Sequence, residues 1–302
     1  MKTLFHRVLV AVGEVKEDVD FLRYARVVQD LVPDAEFSFV HVLNWPGNRR
    51  SLNQSMTHAE AASELAASVG QHFGEGSKAR CIVRHGNVVD RLLECSAELP
   101  ADLILIGHAR EHLGRRSIAR NLAMQAPCSL WMRPYGSKST VKRILAAVDF
   151  SEPSAYALTM GAHIARLAGD SRCMALHAYL NEGSVTTEEY ESIDLLRERE
   201  AFQRFVAPLD TAGVDVQPML EEGASVAHAV ERIAESHSVD LVVMGSRGQS
   251  KSVSTLLGSE SEHVLTESKV PVLIAKRRGD RIGLLQALLD RDFRLHEPPQ
   301  FG

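Results

Sequence analysis

The chain repeats itself. HRVLVAVG at residues 6–13 returns as KRILAAVD at 142–149, and ADLILIGHAR at 101–110 returns as VDLVVMGSRG at 239–248. APCSLWMRP at 126–134 returns as KVPVLIAKR, with Ser129 set against Pro271. The spacings are 136, 138 and 142 residues, in unchanged order. Three apolar segments matched in sequence mean a duplicated domain, and 302 residues suffice for two cores.

Within each copy the pattern alternates strand and helix and ends on a fifth strand. Strands are expected near Val8–Val12, Phe37–Leu43, Arg80–Val83, Leu103–Ile106 and Ser129–Met132. The second set lies near Ile144–Val148, Cys173–Ala178, Asp215–Met219, Leu241–Met244 and Val272–Ala275. Helices fill the intervals, among them Asp20–Gln29, Met56–His72, Val88–Ala97, Pro153–Leu167, Thr187–Ala207 and Ser225–Ser236. This spacing predicts an α/β chain of two tandem doubly wound domains, each an open, five-stranded, mostly parallel sheet with helices on both faces. We divide it as 1–135, 136–278 and a tail, 279–302. RPYGSKST (133–140) has turn formers and no apolar periodicity, as a joint should. In the tail, Ile282, Leu285, Leu288 and Leu289 share one helical face, which either packs on the protein itself or docks a partner.

Composition excludes several classes. A net charge of -5, no basic block and only 6% aromatics disfavour nucleic acid and anionic membrane as partners. The apolar start is too short for a leader or a span and reads as a first strand. Cys81, Cys95, Cys128 and Cys173 lack CxxC spacing, so neither a zinc knuckle nor a disulfide framework is expected, and a reducing, cytoplasmic location follows. Cys128 reads as a small buried hydrophobe.

The segment with most chemistry is GSRGQSKSVSTLLGSES, from Gly245 to Ser261. It follows VDLVVM, whose unbroken apolar run marks a strand covered on both faces. Its glycines therefore start at a strand's carboxyl end, where ligands bind in open α/β sheets. Glycine allows close backbone approach and positive φ. A helix expected from Ser259 would add free N–H groups, the setting for a phosphate chain. The plainer alternative is a solvated surface loop.

The duplicated copies, ILAAVDFSEPS near the start of the second and GSRGQSKSVSTLLGS after its fourth strand together resemble the universal stress protein family. All but the tail looks like a tandem member. The family's ATP signature is Gly, two residues, Gly, nine residues, then Gly and Ser or Thr. Gly245, Gly248, Gly258 and Ser259 match it without a gap. The resemblance implies an adenine nucleotide alpha hydrolase-like fold, with Asp149 at the adenine-ribose end and backbone of Ala178, after His177, at the base. It implies that the glycines and Ser259, with a hydroxyl from Ser261, hold the phosphates of ATP with Mg2+. It also implies that the last strands, Ser129–Met132 and Val272–Ala275, pair edge to edge within the chain.

The first copy departs from the signature. Gly13 stands for Asp149, Arg110 for Gly248, and Arg116–Ser117 for Gly258–Ser259, in a loop four residues shorter. An unoccupied or repurposed first site is expected. Arg110, Arg115, Arg116 and Arg120 crowd it, either to hold another anion or reach a neighbouring nucleotide, or simply as solvated side chains. His108 and His112 have a metal-compatible spacing without a carboxylate partner, whereas His163, His228 and His263 read as surface or packing residues. No nucleophile elbow, Walker loop or Rossmann fingerprint is present. The leading expectation is therefore an ATP-binding regulator of the stress response, acting through a protein partner or homodimer assembly. A slow ATP-hydrolysing or nucleotidyl-transfer enzyme and a scaffold without nucleotide are the alternatives.

Overall fold

A computed structural model describes residues 4–14, 18–43, 57–74, 79–107, 113–179, 188–223, 225–248 and 257–277, the side chains of 113–116 and 188–194 excepted. The tail, His108, Arg110, His112, the side chains of Arg115 and Arg116, and 249–256 of the signature loop lie outside the described residues.

The first half runs β1 (Arg7–Val12), α1 (Val19–Leu31), β2 (Glu36–Leu43), α2 (His58–Phe73), β3 (Arg80–His85), α3 (Val88–Glu98), β4 (Leu103–Gly107), α4 (Leu113–Gln125) and β5 (Ser129–Arg133). The second runs β6 (Ile144–Ala147), α5 (Glu152–Leu167), β7 (Arg172–Tyr179), α6 (Glu188–Val206), β8 (Asp215–Glu222), α7 (Val226–Ser236), β9 (Leu241–Gly245), α8 (Ser259–Glu267) and β10 (Val272–Ala275). Among the described residues every expected strand and helix of the two copies is present, with ends shifted by up to three residues. β8 runs longest past its expected end. It is an edge strand carrying Pro218 and charged ends, so its apolar signal fades before its backbone pairing does.

The two sheets are one. Ten strands lie in the order β3-β2-β1-β4-β5-β10-β9-β6-β7-β8, so each half has the doubly wound order and the halves meet at β5 and β10. That pair is antiparallel, with Val272 opposite Met132, Leu273 opposite Trp131 and Ile274 opposite Leu130. Every other pair is parallel. The join removes two of the four edges that separate sheets would expose.

Because strand side chains alternate, this sheet carries two apolar layers. On one face Val8, Val10, Leu103, Leu105, Trp131, Leu273, Leu241 and Val243 pack under α1, α2, α5 and α6. On the other, Leu9, Ile104, Leu130, Val272, Ile274 and Val242 pack under α3, α4, α7 and α8. Both layers cross from one half to the other without a break. The joint is also pinned: Arg133, buried, donates to Ser137 O and Ser139 Oγ and lies over the Tyr24 ring. Among the described residues no helix is long and apolar enough to cross a membrane.

Burial sorts the four thiols. Cys95, Cys128 and Cys173 are buried and Cys81 is exposed, on edge strand β3. Burial pushes the Cys173 thiol up to about 12, which removes its thiolate at neutral pH. An alkylating reagent at pH 8 should modify Cys81 first in the folded protein and the other three only on unfolding. Mass mapping of the labelled peptides checks this, and early labelling of Cys173 would contradict the packing.

Candidate nucleotide site

In a doubly wound sheet the crevice opens where adjacent strands send their connections to opposite faces. In the second half that point lies between β6 and β9. Asp149 follows β6 by two residues and Gly245 is the last residue of β9, so fold topology alone brings residues 96 apart in sequence to one mouth.

The turn after β6 is unusual. Phe150 has φ 64°, a left-handed conformation costly for a residue with a Cβ. Its ring stacks on His177, with centroids 4.1 Å apart, and leans on Phe205 at 5.3 Å. His177 is itself held. Its Nδ1 lies 2.9 Å from Val148 O, and since a carbonyl only accepts, Nδ1 is the donor. Its Nε2 stands 3.3 Å from a Glu198 carboxylate oxygen. Beyond this clamp Ser151 caps α5, accepting from Ser154 N, and donates through its own N–H and Oγ–H to Asp149 Oδ1. The carboxylate is thus oriented before any ligand arrives.

Gly248 comes down on the other carboxylate oxygen. A Cβ built on Gly248 would stand 2.5 Å from Asp149 Oδ2, so no other residue fits without moving the acid. Gly245 is equally constrained, by different atoms: its Cβ would lie 2.9 Å from the carbonyl carbon of Pro153 and 3.0 Å from its oxygen. None of the signature glycines has positive φ, so of the two freedoms glycine offers, close approach alone accounts for Gly245 and Gly248. Gly258 differs again. Its Cβ would meet only ordinary contacts, Arg247 Cα at 3.6 Å being the nearest, so packing within the protein does not require glycine.

Helix α8 starts at Ser259, as expected, with Gly258 as its N-cap and no side-chain cap. Ser151, Thr57, Asn87 and Ser225 each cap their own helices through side-chain oxygens. Gly258 has no side chain to offer the first-turn N–H groups of α8 and donates its own N–H to Ser246 O at 2.9 Å. Ser261 is buried, and its hydroxyl donates to Gly245 O at 2.8 Å, bracing the helix against the end of β9. Ala178 sits where β7 overruns β6: the last β6 partner, Ala147, stands beside Leu176. Asp149, Gly245, Gly248, Gly258, Ser259 and Ser261 therefore gather around the β6–β9 mouth, with Ala178 on the neighbouring strand's overhang. Among the described residues no group of three or more His, Cys, Asp or Glu is arranged to hold a metal.

The first-half crevice is built from other residues. Gly13 N–H donates to the carboxylate of Asp18, the N-cap of α1, as Asp149 N–H donates to Ser154 Oγ in the second half. Phe21, nearly fully buried, lies so close to Gly107 that a Cβ there would stand 2.9 Å from its ring. At the spacing of 136 residues that relates β1 to β6, Phe21 corresponds to Ala157. Arg120 pairs with Glu262 on α8 of the second half. His228 and His263 are exposed, and His163 lies 3.4 Å from Asp210.

Phe150, Ser151 and Pro153 were not assigned to this mouth from sequence, and His177 and Arg120 were named without the contacts they make here. One signal was available. His41 and His177 are 136 residues apart, and each sets Nδ1 against a carbonyl at or one residue past the end of its neighbouring strand, Val12 or Val148.

Comparison with known proteins agrees with the duplication. A model of the universal stress protein family matches residues 4–134 and again 140–276. A universal stress protein of Thermus aquaticus is 30% identical over 136 residues, covering 45% of this chain and 98% of the relative. One from Methanocaldococcus jannaschii is 37% identical over 70 residues, and the match spans 23% of this chain and only 43% of that relative's length. Among solved structures, a functionally unknown protein of Pseudomonas aeruginosa PAO1 superposes with TM-score 0.70 at 18% identity, covering 95% of this chain and 98% of that one. A universal stress protein of Archaeoglobus fulgidus superposes with TM-score 0.64 at 22% identity, covering 92% and 100%. At these identities the two superpositions speak to fold alone.

Proposed function

The chain belongs to the universal stress protein family, with two family domains in tandem, and from that premise we propose that its second half binds ATP and acts as a nucleotide-dependent regulator in the stress response. The observation that carries the reading is the contact between Gly248 and Asp149. A loop that matches the family's ATP signature is seated on an acid at the topological switch point, at a distance only glycine allows. In this reading Asp149 accepts hydrogen bonds from the ribose and the backbone at Ala178 addresses the base. The phosphates lie along Gly245 and Gly248 toward the N–H groups of Ser259 and its successors, a helix start to which Gly258 gives no side-chain cap. Gly258 keeps that approach open, and Ser261 holds α8 to the strand end.

A magnesium ion fits this donor set, since it favours one carboxylate with phosphate oxygens and water. Asp149 is the residue that would hold it, and bound there it would neutralise phosphate charge. The first half, with Phe21 against Gly107 and arginines in place of the second and third signature glycines, takes no nucleotide in this mode. Occupancy is read out through assembly or a protein partner.

The test is nucleotide content and stoichiometry. The purified chain is denatured, released nucleotide is identified by chromatography and mass, and stripped protein is titrated with ATP and magnesium. One ATP per chain is expected, with binding lost in Asp149→Ala. Absence of both bound nucleotide and titratable binding would sink the reading.

A further inference from the structure

We infer that Arg120 of the first half is a positioning residue for the second half's nucleotide site, holding a native carboxylate away from the helix start where phosphate binds. This rests on the nucleotide reading above and extends it to how one half controls the other.

Helix α8 begins with two acids in its first turn, Glu260 and Glu262. Carboxylates there are attracted to the same partial positive charge that a phosphate needs. Left alone they would compete with it and repel it. Both have partners on other helices. Glu260 Oε2 accepts from Ala227 N at 3.2 Å, at the start of the adjacent α7. Glu262 Oε1 accepts from Arg120 Nε at 2.5 Å, across the join between the halves. The second half therefore restrains one of its acids itself and relies on the first half for the other.

The position of this pair follows from the duplication. Arg120 and Glu262 are 142 residues apart, the same spacing that relates β5 to β10. They are corresponding residues of the two copies, facing each other across the pseudo-twofold axis through Trp131 and Leu273. In a symmetric dimer of identical halves this position would meet itself, and either arginine or glutamate would face its own charge. Tandem fusion allows opposite charges at the two copies. The first half lacks the ATP signature and carries the cation, while the second half keeps the signature and carries the anion.

The pair is partly exposed, so breaking it costs little stability and the variants should fold. ATP and adenosine affinities are measured by calorimetry for the unsubstituted chain, Arg120→Ala, Glu262→Gln and the double variant. Arg120→Ala should weaken ATP about three- to tenfold, the size of a helix-terminus charge effect. Adenosine, which has no phosphate, should bind all four proteins alike. Adding Glu262→Gln to Arg120→Ala should restore ATP affinity, because the competing charge is then gone. A merely structural arginine would lower both ligands together and would not be rescued. Unchanged ATP affinity in Arg120→Ala, equal losses for adenosine, or no rescue would overturn the assignment. Failure of the unsubstituted chain to bind ATP refutes the nucleotide reading itself, before any variant is compared, and this inference with it.

Discussion

Gly248→Ala should lower ATP affinity about ten- to hundredfold while leaving the unfolding midpoint nearly unchanged, because the cost falls on one close approach to the Asp149 carboxylate and not on the core. The added methyl would stand 2.5 Å from Asp149 Oδ2. The carboxylate cannot simply swing aside, since its other oxygen accepts from both Ser151 N and Ser151 Oγ. Either the loop lifts off the acid or the acid leaves its two donors, and each outcome spoils the mouth. Calorimetric titration beside a thermal melt measures both quantities. Affinity within about twofold of the unsubstituted protein would show that the Gly248–Asp149 contact has nothing to do with the nucleotide.

The choice of glycine matters for that experiment. Gly245 belongs to the same signature, yet its missing Cβ makes room for the Pro153 backbone, which cannot yield as a side-chain end can. Gly245→Ala should destabilise the fold by about 1–3 kcal/mol, the usual range for overpacking, and would confound any loss of binding. Gly248 separates the two effects and Gly245 does not.

Trp131→Ala should have the larger effect on stability, a loss of about 3–5 kcal/mol. Trp131 is 1% exposed and lies opposite Leu273 at the centre of the ten-stranded sheet. Its Nε1–H donates to Tyr24 Oη at 3.0 Å, and the rings meet edge to face at 6.2 Å. Tyr24 is fully buried, and burial pushes its hydroxyl pKa well above the ordinary value, so it stays neutral and needs that donor. Removing the indole opens a cavity at the join of the two halves and strips the hydroxyl of its partner. A folded protein of this kind has only about 5–15 kcal/mol to lose. Urea unfolding should show the drop in midpoint, with Trp131→Phe falling between. A loss under about 1 kcal/mol would mean that the β5–β10 join is not where the halves are held together.

Much of the architecture was legible before any coordinates because its signals are local. An unbroken apolar run such as Leu241–Met244 marks a doubly covered strand, and three such runs recurring in order define the copies. The β5–β10 pairing was anticipated only through family resemblance, and the register of Trp131 on Leu273 confirms the join. The signature loop was also legible, but the reason for each glycine was not. Pattern matching treated Gly245, Gly248 and Gly258 alike. The fold gives Gly245 to Pro153, gives Gly248 to Asp149, and leaves Gly258 without a packing constraint.

The sequence by itself determined the duplication, the order of strands and helices, and which half retains the ATP signature, because each is written in neighbouring residues or in a fixed spacing. The tertiary structure decided the rest. Phe150 takes φ 64° because His177 and Phe205 hold its ring, and Glu262 pairs with Arg120, 142 residues earlier, across the join. Such contacts depend on how the sheet closes between the halves, and no local propensity encodes the distance between residues that far apart in the chain.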